Sequence, residues 1–361
     1  MPCFPLGDRW VGDGYPTYFM AEIGSNHDGD LERAKDLIYL ARDAGAEAVK
    51  FQNFHASQLI SDFGFRNMQK QVSHQAAWKK SVFEVYHDAE TPEDWTPILK
   101  EECDRAGVHF LSSPYDFDSI DLLEPFVPAY KVGSGDIDWL EALKRIAGKH
   151  KPVILSSGAA NIAEVQRAVH TVQAIQPQVV LMQCNTNYTG SAENFQHVHL
   201  NVLRTYTCMF PDVILGLSDH TPGLSTCLGA VALGARMIEK HFTDDNSRSG
   251  PDHPYALSTK AFKEMVDRTR ELEAALGSSE KFVAGNEQET VWIQRRCLRS
   301  ANAILKGEIL TRAMIDVLRP AAPGAILPPE IDTVVGKMAL RDIPRGEALN
   351  WLLLGDATEE V

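Results

Sequence analysis

Apolar residues along this chain gather into short runs, and each run closes on a polar residue able to do chemistry. Eight such runs can be counted. Tyr18–Ile23 carries Glu22, Ala48–Gln52 carries Lys50 and Gln52, and His109–Ser113 ends in two serines. Tyr130–Ser134 carries Lys131 and Ser134, and Val153–Ser157 again ends in serines, the first of them Ser156. Val179–Asn185, Val213–His220 and Met237–His241 complete the set. Helix-like stretches such as Leu31–Ala44, Ile162–Thr171 and Lys260–Leu276 lie between them. Strand–helix units repeated eight times in series predict an α/β fold, a (β/α)8 barrel, where catalytic groups sit at the strand C-termini.

Outside these units the pattern changes. Residues 1–17 read as a hairpin, with Arg9–Val11 alternating before a Gly12-Asp13-Gly14 turn, placed to plug the barrel bottom. The barrel is expected over 18–276. Within it, Asn53 to Glu90 is long for one β–α connection and rich in aromatics. A helical insertion packing those rings on the barrel and a mobile lid are both open readings. Residues 277–290 are polar and contain Gly and Ser, as a linker would. Residues 291–361 then read as a compact domain with little helix. Its Lys306–Glu308 and Arg345–Glu347 turns, each before a Leu-rich piece, form a weak internal repeat.

Composition narrows the partners. The chain has 361 residues, more than the roughly 250 of one barrel. A hydrophobic content of 44% with no long apolar run does not suit a membrane protein. The Pro-, Gly- and charge-containing start lacks the apolar core of a signal peptide, so a cytoplasmic location is expected. Six cysteines without a CxxC pair argue against a disulfide frame or structural zinc. A formal net charge of −14 disfavours nucleic acid and anionic membranes. An anionic substrate still fits if inward lysines make the site locally basic.

Several strand ends carry candidate chemistry. His220 and His241 close neighbouring strands, and two imidazoles there can share one divalent ion while leaving positions open. With nitrogen and oxygen ligands at hand, Mn2+ or a similar ion is expected, with Mg2+ or Co2+ as alternatives. Lys50 and Lys131 lie inside apolar strands, where an ammonium needs a carboxylate or a bound anion. A salt bridge to Glu22 or Glu239 answers that need. So does a phosphate, which the hydroxyls of Ser134 and Ser156 would help to hold. Glu22 reads as a base or a grip on substrate hydroxyls, or else as a lysine's charge partner. Asp252, in the loop after the eighth strand, reads as a hydroxyl contact or a plain turn residue. His27 reads as a loop or helix-start residue, and Cys184 as packing. No Gly-rich nucleotide-binding loop is present.

AEIGSNHDGD (Ala21–Asp30), VKFQ (Val49–Gln52), YKVGSGD (Tyr130–Asp136), GLSDHTPG (Gly216–Gly223) and IEKHFT (Ile238–Thr243) with GPDH (Gly250–His253) run in order at the strand ends. In these motifs the chain resembles the sialic acid synthase family, whose other members make legionaminic and pseudaminic acids. Residues Gln294–Asp356 resemble that family's C-terminal antifreeze-like (SAF) domain, with Arg319-Pro320 at its RPG arginine position.

The resemblance implies condensation of phosphoenolpyruvate with an unphosphorylated N-acylated aldose such as N-acetylmannosamine, with release of phosphate. It makes His220 and His241 the metal-binding histidines. Lys50, Lys131, Ser134, Ser156, Ser218 and Ser113 fall around the phosphoenolpyruvate, the last where a threonine is usual. Glu22, Gln52, Asp136, Tyr188 and Asp252 fall at sugar-side or catalytic positions, Asp136 replacing a common glutamate. It also implies a homodimer in which each SAF domain caps the other barrel and Arg319 reaches the partner's sugar. Two loops depart from the family pattern: Cys184–Thr189 lacks a usual proline, and Arg319–Gly324 reads RPAAPG. A pseudaminic or legionaminic acid synthase, a barrel synthase acting on phosphorylated sugars, and an inactive barrel–SAF binding protein are the rival expectations.

Overall fold

The computed structural model describes residues 2–68, 75 and 78–357. The expected insertion over 53–90 and the end of the expected last domain therefore lie partly outside the described residues. The chain divides into two compact units, Met1–Gly277 and Ser278–Val361.

The first unit opens with a hairpin, β1 (Cys3–Leu6) against β2 (Arg9–Gly12), antiparallel. Eight parallel strands follow: β3 (Tyr18–Glu22), β4 (Ala48–Asn53), β5 (His109–Pro114), β6 (Tyr130–Val132), β7 (Val153–Ser156), β8 (Val179–Cys184), β9 (Ile214–Asp219) and β10 (Met237–Thr243). They pair in the order β5-β4-β3-β10-β9-β8-β7-β6. β5 and β6 lie side by side at the seam, where no ladder joins them among the described residues, so the barrel is nearly closed. A helix follows each strand: α1 (Leu31–Asp43), α2 (Trp95–Ala106), α3 (Phe117–Leu123), α4 (Leu140–Ala147), α5 (Ile162–Gln173), α6 (Val202–Met209), α7 (Ser225–Ala232) and α8 (Thr259–Leu276). The starts of several are written locally. Asp30 accepts from the Glu32 and Arg33 amides, and Asn161 forms a capping box with Glu164.

Alternation along the strands separates two cores. Outward residues such as Phe19, Val49, Phe110, Leu155, Leu217 and Ile238 pack beneath the helices. Inward residues at the bottom, among them Met20, Ala48, Leu111, Ile154, Val180 and Met237, form a second cluster that includes Phe4, Leu6 and Val11 of the hairpin. Higher on the same inward faces the series turns polar: Glu22, Lys50, Ser113, Lys131, Ser156, Ser218 and Glu239. The apolar lower layers and the hairpin bury the bottom, so the chemistry is confined to the top.

The second unit has its own core, built from Leu298, Ile304, Leu310, Ile315, Ile326, Ile343 and Leu349 among others. Cys297–Ser300 pairs antiparallel with Ile315–Leu318. The two Gly-centred turns are reciprocal: Gly307 N donates to Ala339 O, and Gly346 N donates to Ser300 O. Both glycines take positive φ, 88° and 84°, which their lack of a Cβ permits. The polar stretch after Gly277 becomes helical over Gln288–Gln294.

Candidate active site

A cavity of about 270 Å³ opens where the strands of the first unit end. Its lining includes Glu22, Lys50, Gln52, Lys131, Ser134, Asp136, Ser156, Tyr188, Ser218, His220, His241 and Asp252. Ser113 lies just below, accepting from Lys50 Nζ at 3.1 Å. Arg319 belongs to the second unit, where it is exposed after the Ile315–Leu318 strand.

The floor is an ionic network. Lys50 Nζ stands 2.5 Å from Glu22 Oε2 and 3.3 Å from Glu239 Oε1, and Lys131 Nζ stands 3.1 Å from Glu239 Oε2. All four side chains are at most 5% exposed. The registers explain the meeting: Glu22 pairs with Lys50 across β3 and β4, and Ser218 with Glu239 across β9 and β10. The lysines thus have the carboxylate partners that burial demands, and they also face the cavity.

The two carboxyls differ. Burial pushes Glu22 up; Lys50 opposes the rise and Glu239 adds to it. Burial also works to raise Glu239, but the ammonium groups of Lys131 and Lys50 outweigh it and hold that carboxyl low. Glu22 is therefore the floor group nearest to exchanging a proton at neutral pH. Its Oε1 accepts from Gln52 Nε2 at 2.7 Å. Gly24, at φ +53°, lets the backbone pass: a Cβ there would stand 2.8 Å from Asp252 Oδ2 and 3.1 Å from Glu22 Oε1.

The imidazoles of His220 and His241 face each other with centroids 5.4 Å apart. Two imidazoles sharing one ion at about 2.1 Å per nitrogen stand roughly 4.5 to 5.5 Å apart, so the spacing suits a shared cation. His220 Nδ1 lies 2.9 Å from the Asn185 carbonyl, which directs its other nitrogen elsewhere. Burial opposes charge on this ring, but the Cys184 sulfur beside it raises its pKa. His241 Nδ1 is buried without a hydrogen-bond partner, 3.7 Å from Asp252 Oδ2. Burial lowers this ring's pKa to about 3, so it is neutral and free to ligate. Two imidazoles beside a carboxylate thus fit a divalent ion by donor type and by the orphaned nitrogen. A separate trio, His55, Asp116 and Asp118, brings ligand atoms within 4.8 Å of one another. There Asp116 already accepts from the amides of His55 and Ser119, which reads as a pin between two loops.

Other expected residues fall in place around this centre. Ser25 donates to Asp252 Oδ2 at 3.0 Å, and the Tyr255 hydroxyl donates to Oδ1. Tyr188 packs edge-on against His220, centroids 4.4 Å apart. Ser134 Oγ accepts from Gly158 N at 3.0 Å. Ser156 Oγ and Asp136 Oδ2 are buried without a hydrogen-bond partner. His27, fully buried, stacks edge-on against Trp95 and accepts from Gly29 N, a structural role. Cys184 Sγ lies 3.9 Å from His220 Nδ1, nearer the centre than simple packing implied.

Tyr115, Tyr255 and Lys240 escaped the sequence reading, and Tyr86 was legible only as one of the aromatics of the 53–90 insertion. Tyr115, one position past β5, and Tyr86 line the cavity. Tyr255 packs edge-on against His241, centroids 4.9 Å apart, and its place three residues after Asp252 was the available signal. Lys240 lies between Glu239 and His241 but points outward. Its Nζ donates to Asp219 Oδ2 at 2.8 Å and to Thr221 O at 2.5 Å.

Residues 37–281 match the NeuB family, and residues 295–354 match the SAF domain. The spore coat polysaccharide biosynthesis protein SpsE of Bacillus subtilis is 36% identical over 99% of this chain and 99% of its own. Its crystal structure superposes with a TM-score of 0.64 at 32% identity, covering 98% of this chain and 99% of that one. An N,N'-diacetyllegionaminic acid synthase of Legionella pneumophila is 33% identical over 94% of this chain and 95% of its own. The human N-acetylneuraminate-9-phosphate synthase is 31% identical over 94% of this chain and 93% of its own.

Proposed function

The chain belongs to the NeuB family of nonulosonic acid synthases, and we propose that it condenses phosphoenolpyruvate with an unphosphorylated N-acylated aldose, releasing phosphate. One observation carries this reading: two buried ammonium groups, an unpartnered serine hydroxyl and two facing imidazoles converge in one cavity. An anion needs the first two, and an aldehyde oxygen needs the third.

In this reading Lys50 and Lys131 hold the phosphate and carboxylate of phosphoenolpyruvate, helped by Ser113, Ser134, Ser156 and Ser218. A preorganised ionic floor costs little rearrangement as charge shifts during the reaction. Gln52, Asp136, Tyr188 and Asp252 take the sugar and hold its aldehyde carbon against C3 of the enol. Glu22 holds or releases a proton at its carboxyl as water adds at C2 and phosphate departs. His220 and His241 would hold a divalent ion, Mn2+ with Mg2+ or Co2+ as alternatives, which would supply Lewis-acid polarisation of the aldehyde oxygen. The active unit in this reading is a homodimer, with Arg319 of the partner subunit completing the sugar site.

The test is a panel of N-acylated hexoses incubated with the enzyme, phosphoenolpyruvate and Mn2+, scored by phosphate release and product mass. Phosphate release with an unphosphorylated N-acylhexosamine is expected. Turnover of sugar phosphates alone would place the chain with the phosphosugar synthases instead.

A further inference from the structure

Tyr255 ends the short helical turn His253–Tyr255 that follows β10, and it is 5% exposed. The backbone there is held by other residues. The Asn246 side-chain amide donates to His253 O and to Ala256 O, both at 2.8 Å. The His253 ring lies between Thr243 Oγ1, 2.8 Å from its Nδ1, and Asp28 Oδ1, 2.9 Å from its Nε2. The turn is thus tied to the end of β10 and to the loop after β3 without help from the Tyr255 side chain. What that side chain touches is the site itself.

Its hydroxyl donates to Asp252 Oδ1, while Ser25 donates to Oδ2 from its amide at 3.3 Å and from its hydroxyl at 3.0 Å. Gripped at both oxygens, the carboxylate has a fixed plane. A carboxylate offers about four acceptor positions, so these three donors leave about one. A single acceptor fixed on a cavity wall takes one donor from one direction, which is what orienting a sugar hydroxyl requires.

The ring has a second role. It meets His241 edge-on with centroids 4.9 Å apart and Tyr188 at 5.6 Å. With Tyr188 and His220 at 4.4 Å and the two imidazoles at 5.4 Å, four rings close a circuit. Gly190, at φ +63°, brings the loop after β8 against the turn: a Cβ there would stand 2.9 Å from Tyr255 Cβ. His220 is oriented through its Nδ1 by the Asn185 carbonyl, whereas Nδ1 of His241 is buried without a hydrogen-bond partner. The His241 ring is therefore held by what packs on it, and Tyr255 packs on it.

We propose that Tyr255 is a positioning residue for both halves of the site: its hydroxyl sets the Asp252 carboxylate for a hydroxyl of the sugar, and its ring keeps His241 facing His220. This inference rests on the condensation reading above for its sugar half.

The experiment uses the full chain and compares Tyr255→Phe, which removes the hydroxyl and keeps the ring, with Tyr255→Leu, which removes both. Tyr255→Met is measured beside Tyr255→Leu in case leucine does not fold. Phosphate release gives kinetic constants for phosphoenolpyruvate and for N-acylated hexoses, and the EPR signal of free Mn2+ gives metal affinity without any substrate. Tyr255→Phe should lower kcat/KM for the sugar by about 10-fold or more, the worth of one hydrogen bond to a charged group, with the KM for phosphoenolpyruvate and the Mn2+ affinity unchanged. Tyr255→Leu should add a loss of Mn2+ affinity of about 10-fold. An unchanged sugar kcat/KM in Tyr255→Phe overturns the role of the hydroxyl, and equal losses for both substrates make Tyr255 merely structural. Native Mn2+ affinity in folded Tyr255→Leu or Tyr255→Met overturns the role of the ring. Absence of phosphate release by the native chain with every N-acylated hexose overturns the condensation, and the sugar half with it, while the Mn2+ contrast still decides the role of the ring.

Discussion

Replacing Lys240 by methionine tests how the two histidine-bearing strands are held. Lys240 and Asp219 precede His241 and His220, pair across β10 and β9, and point away from the cavity. Their side chains are 1% and 2% exposed, with Nζ 2.8 Å from the carboxylate. Burial works to raise the Asp219 carboxyl, but Lys240 and the hydroxyls of Thr226 and Thr221 hold it low. Lys240→Met removes the only ammonium in that cluster among the described contacts, and Asp219 is left as a buried charge. Breaking such a pair from one side costs about 3–5 kcal/mol. Thr226 Oγ1 still donates to Asp219 at 2.6 Å, which puts the expectation near the low end, about 3 kcal/mol. That is a large share of the 5–15 kcal/mol typical of a folded domain. Urea unfolding of the metal-free chain measures it. The double variant Lys240→Met/Asp219→Leu should recover most of the loss, since no unpaired charge remains. Mn2+ affinity, followed by the EPR signal of the free ion, should fall about 10- to 100-fold in the single variant as the support behind the two imidazoles loosens. A loss under about 1 kcal/mol with unchanged Mn2+ affinity would refute the reasoning.

Three further outcomes are expected. Lys131→Met should raise the KM for phosphoenolpyruvate far more than that for the sugar, and equal losses would make Lys131 structural. Asp136 has a folded pKa of about 6 against an ordinary 3.8. Raised above its unfolded value, it adds stability below pH ~4 that is lost as pH rises through ~6. Asp136→Asn should therefore stabilise the free protein above pH ~6 by roughly 1–3 kcal/mol, with the gain fading below pH ~4, as thermal unfolding against pH would show. Mixing Arg319→Ala chains with His220→Ala chains should restore activity above both parents, because heterodimers sharing sites in trans regain one intact site. No recovery on mixing would confine Arg319 to its own chain.

The strands were legible because a barrel imposes two rules at once. Inward residues must be apolar where the interior is packed and may turn polar only at the open end, so each strand announces its C-terminus. Glu22, Lys50, Lys131, His220 and His241 all stood out for that reason. Which partner each lysine takes was not legible, because pairing depends on the stagger between neighbouring strands. That stagger puts Lys50 between Glu22 and Glu239 and leaves Glu239 shared with Lys131. Lys240 was hidden by parity: one residue from His241, it faces the helices and serves the site from behind. Tyr115 and Tyr86 were hidden because an aromatic ring in a sequence looks the same in a core and on a cavity wall. Asp136 was visible as a motif residue, but its unpartnered oxygen shows only in three dimensions.

In the proposed function this floor joins phosphoenolpyruvate to an N-acylated sugar. The most direct measurement follows phosphate and the 2-keto acid product together, from phosphoenolpyruvate and an unphosphorylated N-acylated hexose with Mn2+, in the native chain and in His241→Ala. One phosphate for each product molecule is expected, with a product mass equal to the sugar plus pyruvate, and loss of both signals in a His241→Ala chain that remains folded. Phosphate released without the condensed product, or undiminished turnover in folded His241→Ala, would contradict it.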